Sequence, residues 1–147
     1  MITIRPYKEK DWKRICAIHD AARPDELLGS WDPRAFVPIE KDDEVEELKK
    51  SDKFVAVDED EVVGFVGVDG TYLAWLYVNP DYYHQGIGRR LLQNGIETIG
   101  SGAWTIVLDG NKNAISLYKS EGFIEARRFK SDNAGYPCTC LRLERKD

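Results

Sequence analysis

One segment, residues 76–92, constrains the fold and the chemistry of this chain more than any other. It runs LYVNPDYYHQGIGRRLL, a pattern that indicates the end of an apolar strand, a short loop and a helix that opens with glycines. Glycine at positions 86 and 88 lets a ligand approach the backbone closely. The first amides of a helix have no internal acceptor and carry a positive partial charge. The segment therefore predicts an anion site that suits a phosphate or a pyrophosphate.

The residues around the two glycines argue against two common phosphate-binding motifs. A P-loop places Gly-Lys-Ser/Thr after its loop, whereas Gly88 is followed by Arg89 and Arg90. A dinucleotide-binding fold needs a third glycine near Leu91 and an acidic residue about 20 positions further on, and neither is present. From the residues alone, the remaining alternative is that Gly86 and Gly88 only form a tight turn between strand and helix.

The rest of the pattern alternates strands and helices without a linker, which predicts one α/β domain over residues 1–147. An almost entirely apolar strand at residues 71–78 is expected to be buried on both faces. Gly64 and Gly67 interrupt another strand and predict bulges or a close backbone approach. The predicted strands cover residues 2–5, 53–58, 62–69, 71–78, 103–108, 123–129 and 136–143, and the predicted helices run from residue 11 to near Pro24, over 40–50, from 86 onward and over 113–120.

Composition limits the partners of the chain. The net charge is −5 over 147 residues, which argues against a general electrostatic grip on nucleic acid or on an anionic membrane surface. No apolar run approaches the ~20 residues of a membrane span. Cys16, Cys138 and Cys140 are an odd number without metal-ligand spacing, so we expect reduced thiols in a cytoplasmic protein and no metal.

A second segment, residues 111–123, supplies the context that the glycines lack. It runs NKNAISLYKSEGF. In this order, the two segments resemble the acetyl-CoA-binding motif and the following Asn-x-x-Ala-x-x-Leu-Tyr-x-x-x-Gly-Phe motif of the GCN5-related N-acetyltransferases (GNAT). The resemblance implies the acyl-CoA N-acyltransferase fold, an α+β fold whose mixed, mostly antiparallel sheet of about six to seven strands is flanked by about four helices.

The resemblance also implies a set of site residues, with acetyl-CoA as the co-substrate in the gap between the strands at 71–78 and 103–108. Asn111 corresponds to the asparagine that contacts the pantetheine arm, and Tyr118 to the tyrosine near the thioester sulfur. Tyr83 stands where the family prefers Gln or Arg. The strand that pairs with the pantetheine arm corresponds to Leu76, Tyr77 and Val78, and the pyrophosphate loop to Tyr83, His84, Gln85, Gly86, Ile87 and Gly88, with Arg89 in the first helical turn.

Acetyl transfer to a primary amine needs a proton acceptor and a proton donor. An alkyl amine is neutral to only about one part in a thousand at pH 7, and the departing thiolate can take a proton from a phenol. We therefore expect Tyr118 to act as general acid, the alternative being that it only packs against Leu117 and Phe123. The backbone amide of Tyr77 or Val78 is the expected donor to the oxyanion.

No catalytic base is assigned from the sequence. Many family members carry a Glu on the strand that corresponds to residues 71–78, and this strand has no carboxylate. A base that acts through ordered water is the default, and the other candidates are Asp69, Asp109, Glu26 and His19.

The acceptor is expected to be the primary amine of a small molecule or a peptide. Two alternatives stay open: a protein N-terminal or lysine acetyltransferase, and a non-catalytic acyl-CoA sensor that has lost its base. The resemblance implies that Trp31 and Phe36 lie where the family closes its acceptor cleft, the alternative being that they only cap the core. A homodimer is compatible with the sequence, which does not define the oligomeric state.

Overall fold

The computed structural model describes residues 1–28 and 32–147. Within these residues, seven strands form one sheet in the order β1-β2-β3-β4-β5-β7-β6, and only the β4–β5 pair is parallel. This agrees with the predicted mixed, mostly antiparallel sheet. The strands are β1 Ile2–Pro6, β2 Asp52–Asp58, β3 Glu61–Asp69, β4 Tyr72–Val78, β5 Trp104–Leu108, β6 Phe123–Asn133 and β7 Tyr136–Arg145.

Four α-helices in the described ranges cover both faces of the sheet. Helices α3 and α4 pack on one face, where Ile87 and Leu91 join a buried cluster with Val66 and Leu73. Helices α1 and α2 pack on the other face around Phe65. The α-helices are α1 Trp12–Leu27, α2 Val45–Lys50, α3 Ile87–Ile99 and α4 Lys112–Ser120, and short 3-10 turns occupy Glu9–Asp11, Pro33–Ala35, Ile39–Lys41 and Pro80–Tyr82.

Helix α1 runs past the proline that was expected to end it. The carbonyl oxygen of Pro24 accepts a hydrogen bond from the Leu28 amide at 3.1 Å, so the proline lies in the last turn and that turn is completed. Leu27 is fully buried, which holds this turn on the domain. The prediction of a stop near Pro24 was therefore wrong by one turn. That turn carries Glu26.

Three other boundaries also differ from the predicted ones. Helix α2 begins at Val45 rather than near residue 40, because the Asp42 carboxylate accepts the Glu44 amide at 2.8 Å and competes with helix formation there. Strand β6 extends past residue 129 to Asn133, up to a two-residue turn at Ala134 and Gly135, where φ is +52° and +83°. Strand β7 begins at Tyr136 as predicted but continues past residue 143 to Arg145.

The expected close approaches at Gly64 and Gly67 are confirmed. A Cβ atom on Gly64 would lie 3.0 Å from Leu91 Cδ1, and one on Gly67 would lie 2.8 Å from Ser51 Oγ. The register between β3 and β4 shifts beside Gly67, which leaves Ala74 as the extra residue of a bulge. The bulge lies in the middle of β4, the strand that borders the cleft described next.

Candidate active site

Strands β4 and β5 meet at one end and then separate. Among the described residues, Tyr72 and Trp104 are their only registered pair. One residue further, Thr105 Oγ1 donates to the Leu73 carbonyl at 2.8 Å and joins the strands at the neck of the gap. Beyond the neck lies a cleft of about 690 Å³ lined by both strands. The cleft leaves much of β4 half-exposed, so the expected burial of this strand on both faces was wrong.

The amino end of helix α3 faces the cleft. Gly86 is its N-cap, with φ at +79°, and the first helical hydrogen bond runs from the Arg90 amide to the Gly86 carbonyl at 3.1 Å. The amides of Ile87, Gly88 and Arg89 precede that bond and have no acceptor within the helix. Together with the helix dipole, these amides form a site for an anionic group.

The packing around Gly86 and Gly88 tests whether a pyrophosphate fits here. A Cβ on Gly86 would meet nothing within 4 Å, and one on Gly88 would lie 3.8 Å from Val78 Cγ2, an ordinary contact. The fold therefore needs glycine at position 86 for its positive φ, but no close packing requires glycine at 88. The space over Gly88 belongs to the cleft, so a ligand can reach the helix amides there.

The structure brings nearly all of the predicted site residues together around this cleft. The exceptions are Gln85 and Arg89, which do not line it. The Arg89 guanidinium instead donates to Ser120 Oγ at 2.8 Å and to Glu121 at 2.5 Å. Arg89 therefore contributes only its main-chain amide to the anion site at the start of α3. The predicted residues that line the cleft are Leu76, Tyr77, Val78, Tyr83, His84, Gly86, Ile87, Gly88, Asn111 and Tyr118.

Tyr118 combines the two properties that the sequence left as alternatives. Its ring packs edge-on against Phe123 with centroids 5.2 Å apart, and the residue also lines the cleft. Burial raises the pKa of Tyr118 above its usual value, a hydrogen bond with Thr105 opposes that rise, and the charge of Glu26 adds to it. The phenol therefore keeps its proton at neutral pH and is available as a donor.

Glu26, one of the candidate bases named from the sequence, also lines the cleft. Tyr77 Oη donates to Glu26 Oε1 at 2.6 Å, and Arg23 Nη1 donates to the same oxygen at 2.9 Å. Burial, with a smaller contribution from the charge of Glu26, raises the pKa of Tyr77 well above its usual value. Tyr77 therefore remains a neutral hydrogen-bond donor to a charged carboxylate.

The other candidate bases are placed less favourably. His19 is buried, and its Nδ1 lies 3.0 Å from Asp20 Oδ1. Asp109 accepts from Arg128 at 2.7 Å, and neither Asp109 nor Asp69 lines the cleft.

Comparison with known proteins agrees with this geometry. A family model described as an acetyltransferase (GNAT) domain matches residues 49–125, just over half of the chain. The chain belongs to the GNAT acetyltransferase family. It is 36% identical over 97 residues to the peptidyl-lysine N-acetyltransferase YjaB of Salmonella typhimurium, and the match covers 65% of this chain and 66% of that relative.

Two solved structures share the GNAT fold. A GCN5-related N-acetyltransferase from Rhodopseudomonas palustris superposes with a TM-score of 0.85 at 20% identity, over 99% of this chain and 95% of that one. The protein yncA of Salmonella typhimurium, solved with its cofactor acetyl-CoA, superposes with a TM-score of 0.71 at 19% identity, over 100% of this chain and 95% of that one. These structures confirm the predicted fold, and the family model and the YjaB relative confirm the predicted family and acetyltransferase class.

The charges of this GNAT cleft are strongly asymmetric. Among the described residues that line it, one guanidinium, that of Arg23, faces a larger set of carboxylates. Phe36 packs with Leu27, Ala35 and Cys140 and does not line the cleft, whereas Trp31 lies outside the described residues. No group of three His, Cys, Asp or Glu residues in the described ranges could hold a metal ion, and no helix there is long and apolar enough to cross a membrane. The carboxylates that line the cleft with Arg23 are those of Asp25, Glu26, Asp42, Glu44 and Asp132.

Proposed function

We propose that this GNAT domain transfers the acetyl group of acetyl-CoA to a primary amine on a cationic acceptor, with a peptidyl lysine as the first acceptor to test. One observation carries the proposal: a single cleft extends from the free amides of α3 to a wall of carboxylates. The first end suits an anionic cofactor and the second suits a cation. The acceptor named for the YjaB relative, a peptidyl lysine, has the charge that this wall favours.

In this proposal, strands β4 and β5, the amino end of α3 and Asn111 before α4 each contribute part of the acetyl-CoA site. The amides of Ile87, Gly88 and Arg89 hold the pyrophosphate, aided by the dipole of α3. The edge of β4 at Leu76, Tyr77 and Val78 separates from β5 and offers main-chain groups to the amides of the pantetheine arm, as in strand addition. Asn111 contacts the same arm. When bound, acetyl-CoA would supply the thioester that the acceptor amine attacks.

Tyr118 and the β4 backbone act on the reacting atoms in the same proposal. The backbone amide of Tyr77 or Val78 stabilises the oxyanion that forms when the amine attacks the thioester carbonyl. Tyr118 then donates its proton to the departing sulfur. Because burial raises the pKa of Tyr118, the phenol keeps that proton at neutral pH. The support for this role is the position of a buried, protonated phenol on the cleft wall.

Two substitutions of Gly88 test the proposal, because they differ only in how far a side chain projects. In Gly88→Ala, the added Cβ makes ordinary contacts, so we expect acetyl-CoA binding and CoA release with a lysine peptide to continue. In Gly88→Leu, the longer side chain fills the space over the α3 amides. We expect acetyl-CoA affinity, measured by calorimetry, to fall at least about 100-fold while the protein stays folded. Equal affinity in the two variants would contradict the proposal.

We also propose the cytoplasm as the compartment. Cys16, Cys138 and Cys140 are free thiols. Burial raises the pKa of both Cys16 and Cys140 to about 12, so these thiols stay protonated and unreactive. Free cysteines of this kind are typical of a reducing environment. Detection of the protein in the cytoplasmic fraction of lysed cells, or imaging of a fluorescent fusion in intact cells, tests this assignment.

A further inference from the structure

The last turn of α1 places the carboxylate of Glu26 beside β4, a strand that contains no acidic residue. Strand β4 is YLAWLYV, without an acidic residue. Glu26 reaches it from α1, and its hydrogen bond to Tyr77 Oη spans 51 positions of sequence. The Glu26 side chain is 29% exposed and lines the cleft, so a group bound in the cleft can contact it.

The environment of Glu26 holds the carboxylate in one position. Two donors from different elements, Tyr77 on β4 and Arg23 on α1, converge on Oε1. Arg23 is itself only 16% exposed in its side chain, and charge-assisted hydrogen bonds in such a setting are stronger than those at an open surface. Groups locked in this way by their neighbours are suited to act on a substrate.

We propose that Glu26 accepts the proton that the acceptor amine must lose, and that Tyr77 and Arg23 are its positioning residues. This inference rests on the proposed function. Glu26 and Tyr118 then form a base and an acid on one cleft. The charge of Glu26 contributes to the raised pKa of Tyr118, as expected for two groups that lie near each other.

The proposed step balances in atoms and protons. The acceptor arrives as an ammonium ion with three protons on nitrogen, and Glu26 takes one of them. The nitrogen lone pair forms the C–N bond to the thioester carbonyl carbon, the C–S bond breaks, and Tyr118 gives the sulfur its proton. The nitrogen loses a second proton, which restores the phenol through solvent, and the amide keeps the third. Glu26 then releases its proton to solvent, so that each turnover yields the amide, free CoA and one proton. Loss of water around the two charges favours proton transfer, because burial disfavours both charged forms.

Other carboxylates near the cleft are less suited to this role. Asp25 Oδ2 accepts from Tyr83 Oη at 3.0 Å, which ties it to the predicted pyrophosphate loop. Asp42 holds the Glu44 amide at 2.8 Å. Glu44 itself is exposed. Glu26 combines a fixed position with contact to β4.

The first test is Glu26→Gln, assayed over pH with a lysine peptide. We expect kcat/KM near pH 7 to fall at least about 100-fold, the usual contribution of a general base. The deficit should shrink as pH approaches about 10, because the acceptor then becomes neutral without help. Acetyl-CoA affinity by calorimetry should not change. Glu97→Gln, on the exposed face of α3, is the matched control and should behave like the wild type.

Two further variants separate a chemical role from a structural one. Glu26→Asp keeps the carboxylate but shortens its reach, so part of the activity should return with the wild-type pH dependence. Tyr77→Phe removes one donor to the charged carboxylate, which should move the acid limb of the rate profile to higher pH. A structural role alone would change neither profile.

The outcomes distinguish this inference from the proposed function. If Glu26→Gln keeps the wild-type rate and pH profile, Glu26 is not the proton acceptor, although the enzyme is still an acetyltransferase. If Glu26→Gln is slow but its deficit is the same at every pH, the base role is likewise overturned. If the wild type binds acetyl-CoA and releases no CoA with any amine, the proposed function fails and this inference fails with it.

Discussion

At the scale of single residues, the cleft contains side chains that both pack and present a polar group. Tyr118 stabilises the core through Phe123 and presents a phenol to the cleft. Tyr77 packs beside Phe65, with ring centroids 5.8 Å apart, and donates to Glu26. An aromatic ring with a hydroxyl group can do both, because its body is apolar and its tip is polar. Substitution by phenylalanine therefore separates the two roles.

Tyr118→Phe should slow acetyl transfer without unfolding the protein. The ring and its contact with Phe123 remain, but the proton donor is lost. We expect kcat to fall about 100-fold, at the lower end of general-acid contributions, with acetyl-CoA affinity unchanged. Because burial raises the pKa of Tyr118, the wild-type rate should not decline through phenol ionisation up to about pH 10, the ordinary pKa of tyrosine. A steady-state pH series checks both points, and an unchanged kcat would remove Tyr118 from the mechanism.

At the scale of elements, the β4–β5 pair is both a structural joint and the neck of the cleft. Thr105 is 3% exposed, and its hydroxyl bonds to the Leu73 carbonyl across the two strands. The bulge at Ala74 follows directly on β4. The strands are thus joined at one end and free at the other, which is the arrangement that a ligand inserted between them requires.

Thr105→Val tests this joint, since valine has nearly the same shape but no hydroxyl. The Leu73 carbonyl would be left without its buried partner, so we expect the free energy of unfolding to fall by about 1–2 kcal/mol in urea titrations. Thr98→Val removes a hydroxyl that bonds to Asn94 O on the exposed face of α3 and is the matched control. It should change stability by no more than about 0.5 kcal/mol. Equal losses in both variants would contradict the role assigned to Thr105.

The parts of the site that lie close together in sequence were predictable, and the part that depends on distant contacts was not. Gly86, Gly88 and Tyr118 fall within local motifs whose spacing determines their element. The contact between Glu26 and Tyr77 depends on α1 continuing through Pro24 and on packing between residues far apart in sequence. Proline is a good local predictor of a helix end, and here the buried Leu27 outweighs it. The register bulge at Ala74 likewise arises from strand pairing.

At the scale of the whole molecule, the placement of the charged groups affects ligand binding more than the net charge of −5 does. One part of the cleft lining is dominated by carboxylates, while the end that suits an anion uses main-chain amides rather than free basic side chains. Both Arg89 and Arg90 bond elsewhere, to Glu121 and to the Ile2 carbonyl. An acidic domain can therefore bind an anion at one end and attract a cation at the other.

This distribution predicts a stronger salt response for highly charged acceptors than for singly charged ones. Between 0.1 M and 1 M salt the Debye length falls from about 10 Å to about 3 Å, which screens the carboxylate wall. We expect the KM of a lysine peptide with several positive charges to rise at least about threefold over that range. The KM of an acceptor whose only charge is the reacting amine should change less. Initial-rate measurements at saturating acetyl-CoA check this, and equal salt effects would contradict it.

The most direct test of the central claim is mass spectrometry of acceptor amines after incubation with the wild-type protein and acetyl-CoA. The panel should include a lysine peptide, a peptide with a free N-terminus and no lysine, and a small polyamine. We predict that at least one acceptor gains an acetyl group on nitrogen and that free CoA appears in equal amount. Acetyl-CoA that binds to the protein while every acceptor stays unmodified would contradict an acetyltransferase and favour a non-catalytic acyl-CoA sensor.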